Sequence, residues 1–196
     1  IRDMVKDFCL QEIHGLGIDK AAALDASKDL PLIVSMLEKS AELGLCGLSI
    51  DKEYGGMDLD FNTGLLFGEA IALGFSFATT IGAQTSIGSL PIVFYGTEEQ
   101  KKKYLPGVAS AKLKASYCLT EPGAGSDANS GKTKAVLQSD GKTYLLNGQK
   151  MWITNGGFAD IFIVFAKVED DKDLSAFIVE KAFGGITLGK EEKKLG

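Results

Sequence analysis

The spacing of apolar residues changes once along this chain, near residue 112, and that change limits the folds open to it. Upstream, Leu32, Ile33, Met36, Leu37, Ala41 and Leu43 recur three and four residues apart behind Pro31, and Gly44 supplies a stop. This is the pattern of a helix with one apolar stripe. The loop DKEYGGMDLD interrupts it. FNTGLLFGEAIALGFSF, from Phe61 to Phe77, then resumes it with small residues on one face, where a second helix can approach closely. Thr97 and Gln100 make a capping box for a helix through EEQKKKYL, expected to end near Pro106 or Gly107. Downstream the period is two: 114–120, 132–139, 142–147, 161–168 and 175–180 are short, rich in strand formers and separated by turn residues. Asp140-Gly141 predicts a type I′ hairpin between two of them. Helices followed by strands, without βαβ alternation, predict an α+β fold. We place an N-terminal α-helical domain at 1–111 and an antiparallel, barrel-like β-sheet domain at 112–196.

Composition narrows the function. With 45% hydrophobic and 24% charged residues among 196, the chain can bury a core. A net charge of -5, with Lys101 to Lys103 lying beside Glu98 and Glu99, offers no basic face for nucleic acid. Cys9, Cys46 and Cys118 are far apart and form no C-x-x-C pair, which argues against a disulfide framework or zinc cluster and for a reducing compartment. A single histidine, His14, read as a solvated helix residue, leaves little scope for a Ser-His-Asp triad. IRDMVKDF lacks the apolar core of a signal peptide, and no apolar run reaches the ~20 residues of a membrane span. The closing KEEKK, from Lys190 to Lys194, reads as a solvated loop or strand edge.

Two segments carry chemistry. In YCLTEPGAGSD, from Tyr117 to Asp127, a strand delivers the hydroxyl of Thr120 and then a turn whose glycines expose backbone N–H groups to an anion such as a pyrophosphate. In NGQKMWITNGG, from Asn147 to Gly157, the only tryptophan of the chain, Trp152, stands two residues before Thr154. That places a flat apolar ring beside a hydroxyl, which suits a planar ring system. Taken alone, each segment is also what a tight turn or a core tryptophan looks like.

Two nucleotide motifs fit the letters and fail in context. Gly123-Ala-Gly125-Ser-Asp-Ala128 matches G-x-G-x-x-A, yet a strand and a hairpin follow where a dinucleotide fold needs a helix. Gly125, five residues, then Gly131-Lys132-Thr133 misses the P-loop spacing by one residue, and a strand follows there too. A P-loop nucleotide-binding protein stands as one alternative, and a noncatalytic interaction module of helices plus sheet as another.

Across almost its whole length the wording resembles the acyl-CoA dehydrogenase family. LGLCGLSIDKEYGGMDL is similar to that family's early helix-to-loop passage and YGTEEQKKKYLPGVASA to its helix leading into the sheet. YCLTEPGAGSD and NGQKMWITNGG match its two flavin-contacting segments nearly letter for letter, and the GGIT and EEKK wording leans toward the very-long-chain type. The resemblance implies FAD as cofactor, a fatty acyl-CoA substrate converted to a trans-2-enoyl-CoA, an electron-transferring flavoprotein as acceptor, and a homo-oligomer. It implies the mitochondrial matrix in a eukaryote and the cytoplasm in a bacterium.

Residue by residue, it implies that Tyr117, Leu119 and Thr120 line the flavin ring, with Thr120 near its reactive edge. Gly125 and Ser126 face the pyrophosphate, Ser126 also the acyl-CoA. Trp152 and Thr154 cover the other side, Thr154 near N5. Glu121 and Asp127 are read as residues that fix the turn, without catalytic roles. The family's catalytic glutamate belongs to a C-terminal helical domain, expected to be absent between Ile1 and Gly196. No catalytic residue is therefore named.

Overall fold

In a computed structural model, which describes residues 1–17 and 30–192, the helices and strands follow in the expected order. Six α-helices are described: α1 (Arg2–Phe8, continued by a π turn, Cys9–Ile13), α2 (Leu30–Glu42), α3 (Phe61–Ile71), α4 (Ser76–Thr85), α5 (Leu90–Tyr95) and α6 (Glu98–Ala109). Strands β1 (Ala115–Cys118), β2 (Lys134–Leu137), β3 (Tyr144–Asn147), β4 (Ile161–Val168) and β5 (Leu174–Glu180) form one sheet.

The apolar stripe of α2 buries Ile33, Met36 and Leu37 against Phe8, Ile13, Phe67, Phe77 and Ile81. Gly44 ends that helix at φ 78, in the left-handed region where a side chain is costly. In the following loop Gly56 lies so close to the Ile50 carbonyl that an added Cβ would sit 1.9 Å from its oxygen. Only glycine lets the chain fold back there.

Three local expectations change. The stretch 61–77 is two helices, because a 3-10 turn at Ala72–Gly74 and Phe75 at φ 50 break it. His14 is half-buried on a 3-10 turn, with Nε2 2.9 Å from the Leu73 carbonyl oxygen and its ring 5.3 Å from that of Phe75. The capping box at Thr97 and Gln100 is present, but α6 runs through Pro106 to Ala109. Proline removes one helical hydrogen bond. Burial of Leu105, Val108 and Ala109 at the sheet offsets that loss.

The helices meet the sheet along a seam in which Tyr54, Ile92, Leu105 and Val108 pack on Ala115, Ile161 and Ile163. Phe162 lies on the opposite face with Cys118 and Ala159, so β4 is apolar on both faces. Gln84 pins the seam. Fully buried, it donates to the Val108 and Leu113 carbonyls at 3.0 and 2.9 Å and accepts from the Ala115 N–H at 2.7 Å. At the far edge Glu180 of β5 accepts from Tyr104 at 2.8 Å and pairs with Lys103 at 2.6 Å.

The sheet is mixed, where a wholly antiparallel one was expected. β1 runs parallel to β4 with Ala115 opposite Ile161, and β2 is also parallel to β4, while β2–β3 and β4–β5 are antiparallel. The connection from β1 to β4 is long enough for a parallel return because it holds the whole β2–β3 hairpin. Among the described strands β1, β3 and β5 each pair with one neighbour, leaving the sheet open. The hairpin turn is not type I′: only Gly141 has positive φ, 65, and the Asp140 carboxylate accepts from the N–H groups of Lys142 and Thr143, both at 2.9 Å. The three cysteines are free and buried. No described helix is long and apolar enough to cross a membrane. Of KEEKK, Lys193 and Lys194 lie outside the described residues, and Lys190 to Glu192 are exposed.

Candidate flavin site

Both segments singled out above join the C-terminal side of β1. Tyr117, still in the strand, is half-buried, its ring 5.0 Å from that of Phe165. Leu119 and Thr120 follow, also half-buried, and the chain then leaves the sheet in a loop that returns at Thr133. The second segment lies against the start of this loop. The Met151 N–H donates to the Thr120 carbonyl at 2.9 Å, and Ser116 Oγ donates to the Thr154 carbonyl at 2.6 Å. Gly148 packs on Thr133 so tightly that a Cβ would sit 2.2 Å from its Oγ1.

The loop is fixed by Glu121, as its position before Pro122 predicted. Glu121 N–H and carbonyl exchange hydrogen bonds with Ala124, both 3.1 Å. Its carboxylate, only 7% exposed, accepts from the N–H groups of Lys132 and Thr133 at 2.6 and 3.0 Å. Asp127 works differently from the expectation: its backbone carbonyl, not its side chain, accepts from Ser130 Oγ at 2.7 Å.

Sequence reasoning missed Lys150. Its side chain is 11% exposed, and its ammonium group donates to Glu121 Oε1 at 2.8 Å and to the Leu119 carbonyl at 3.0 Å. The available signal was a lysine between Gly148 and Met151, in a segment otherwise read for its ring and hydroxyl. Burial alone would raise the Glu121 pKa, but Lys150 and the N–H groups of Lys132 and Thr133 outweigh it and hold the carboxyl down at about 2. Asn155 was also missed. At φ 65 and buried, it donates to the carbonyls of Thr80 and Ala115 at 3.0 and 3.2 Å, tying the second segment to α4 and β1.

Two features stand out by their exposure. Trp152 is 60% exposed and holds φ 58, a conformation costly for a bulky residue. Gly123 and Gly125 are exposed, have no positive φ, and a Cβ at either would meet nothing within 4 Å. Neither glycine is needed for the turn or for packing. Their bareness suits the close approach of a group that is not protein, and their loop offers N–H groups and the exposed Ser126 hydroxyl as donors. A strained, outward-facing indole on the neighbouring segment suits a flat ring. These residues fit a nucleotide that carries a planar ring.

Comparison with known proteins agrees. The profile of the acyl-CoA dehydrogenase N-terminal domain matches residues 1–112, and that of the acyl-CoA dehydrogenase middle domain matches residues 116–196. The chain belongs to the acyl-CoA dehydrogenase family. A Bacillus subtilis protein named a probable acyl-CoA dehydrogenase is 56% identical over 163 residues, which is 83% of this chain and 27% of that one. The rat very long-chain specific acyl-CoA dehydrogenase is 45% identical over 169 residues, 82% of this chain and 26% of that one. A crystal structure of a Bacillus anthracis acyl-CoA dehydrogenase complexed with FAD superposes with a TM-score of 0.91 at 45% identity, covering 100% of this chain and 32% of that one. The chain thus spans between a quarter and a third of the length of these relatives. Within the family the β1 loop and the Trp152 segment lie in the part matched by the middle-domain profile.

Proposed function

We propose that this chain is the flavin-holding part of an FAD-dependent acyl-CoA dehydrogenase that converts a fatty acyl-CoA to its trans-2-enoyl-CoA in fatty acid β-oxidation. The observation that carries the reading is the pairing of two bare, outward glycines with a strained, exposed Trp152 on the adjacent segment. In this reading the N–H of Gly125 and the hydroxyl of Ser126 hold the pyrophosphate, and Ser126 also meets the acyl-CoA. Tyr117, Leu119 and Thr120 line one side of the ring, and Trp152 and Thr154 cover the other. FAD, when bound, accepts the electrons removed from the substrate. The task of these residues is to exclude water, orient the ring, and offer the hydroxyls of Thr120 and Thr154 as hydrogen-bond donors to its polar edge.

The reaction also needs a base for the α-proton, and Glu121 is unsuited to it. Both of its oxygens are engaged, and a carboxyl held at about 2 binds a proton too weakly to take one from carbon near neutral pH. The proposal takes the base from residues outside this chain. An electron-transferring flavoprotein as electron acceptor, and a homo-oligomeric state, complete the reading by likeness to the family.

The test is the visible spectrum of the longest natural protein that contains this chain. Flavin bands that bleach when a fatty acyl-CoA is added are expected. A flavin-loaded protein that no fatty acyl-CoA bleaches contradicts the proposed substrate class.

A further inference from the structure

The loop from Thr120 to Thr133 and the segment around Trp152 come from places about thirty residues apart in sequence, yet any flavin held by both depends on their separation. Three attachments fix that separation at one spot. Met151 N–H reaches the Thr120 carbonyl, Lys150 reaches the Leu119 carbonyl, and Lys150 reaches the Glu121 carboxylate. The same carboxylate closes the loop by holding its exit at Lys132 and Thr133. One ion pair therefore links the entry of the loop, its exit and the second segment. Trp152 follows two residues after Lys150, so the aim of its indole starts from this anchor.

A buried ion pair is a poor way to gain stability alone, since desolvation offsets most of the attraction. What the pair supplies is direction. An ammonium group aimed at two oxygens, and a carboxylate whose remaining positions meet two N–H groups, leave little freedom of placement.

We propose that Glu121 and Lys150 are positioning residues, whose pairing sets the spacing of the glycine loop from the Trp152 segment and thereby the fit of the flavin between them. This rests on the flavin reading above. Neither residue touches the reacting atoms. Their effect passes through Gly125 and Ser126 on one side and Trp152 on the other.

The experiment compares wild type, Lys150→Met, Lys150→Arg and Glu121→Gln in the longest natural protein that contains this chain, at a temperature where circular dichroism shows each folded. Three quantities are read: FAD affinity, the resolution of the flavin absorption bands at saturation, and amide hydrogen exchange at Lys132 and Thr133 without flavin. Lys150→Met is expected to weaken FAD by about tenfold or more, the scale known for metal sites when a residue that orients a ligand is replaced. It is also expected to blur the bands at saturation and to speed exchange at both amides. Lys150→Arg, which keeps the charge, is expected to recover most of the affinity. A folded Lys150→Met protein with wild-type affinity and spectrum overturns the proposal. If Lys150→Met does not fold, Glu121→Gln decides, with the same expected losses and the same overturning result. Wild type that takes up no FAD refutes the flavin reading instead. The exchange measurement then still judges the clamp, which unchanged protection at Lys132 and Thr133 would refute.

Discussion

The seam between helices and sheet and the pair of segments beyond β1 are both tied by buried polar side chains, but in different ways. At the seam a neutral Gln84 satisfies three backbone groups within apolar packing, and everything it touches belongs to the fold. In the loop a charged pair holds irregular backbone whose neighbours, Gly123, Gly125 and Trp152, face outward. The first region is complete in itself. The second is shaped for something that this chain does not supply. The contrast teaches that polar groups of similar burial serve the fold alone in one place and placement as well as stability in another, and that substitution separates the two.

The largest expected effect is at the seam. Gln84→Leu strips three backbone groups of their partner and should cost about 3 kcal/mol or more of folding stability, read by urea denaturation. Flavin affinity of the protein that remains folded should not change. A comparable loss of affinity at full folding would break the contrast from that side.

Acid sharpens it from the other. The Glu121 carboxyl is depressed from an ordinary 4.5 to about 2, so its contribution to stability is fully present above pH 4.5 and fades as pH falls toward 2. Thermal melts of wild type should fall more steeply over that window than those of Glu121→Gln, which cannot titrate. Parallel curves would mean that the pair contributes nothing.

Trp152→Gly should separate holding from folding. Glycine accepts φ 58 without strain, so stability should stay within about 1 kcal/mol of wild type. FAD affinity should fall about tenfold with the ring gone. Unchanged affinity would return Trp152 to the fold. Gly125→Ala is gentler: a Cβ there meets no protein atom, so stability should move by less than about 0.5 kcal/mol, and any loss should appear in FAD affinity alone. Smallest of all is Leu145→Ser on the exposed β2–β3 hairpin, with a change under about 0.5 kcal/mol and no effect on flavin.

Much of this was legible in the chain because it is local. The apolar stripe of α2, its stop at Gly44, the capping box at Thr97 and the strand of β4 each depend on residues a few positions apart. What escaped depends on distant partners. Helix α6 outlasts Pro106 because Leu105 and Val108 find the sheet, and β1 runs parallel to β4 because a hairpin is threaded between them. The turn at Asp140 was misjudged because an aspartate carboxylate, not a second left-handed residue, closes it. The role of Glu121 could be read from its place before a proline. That of Lys150 could not, since its partner lies 29 residues away and a lysine is rarely buried. The bare glycines and the tryptophan were visible as letters, whereas the open space around the glycines and the exposure and φ of Trp152 were not.

The most direct measurement is a titration of the purified, flavin-free protein with FAD, followed by flavin fluorescence and absorbance, in wild type and in Gly125→Ala. Saturable uptake of one flavin per chain, weakened by Gly125→Ala at unchanged stability, is the predicted result. A fully folded wild-type protein that leaves FAD free in solution would contradict it.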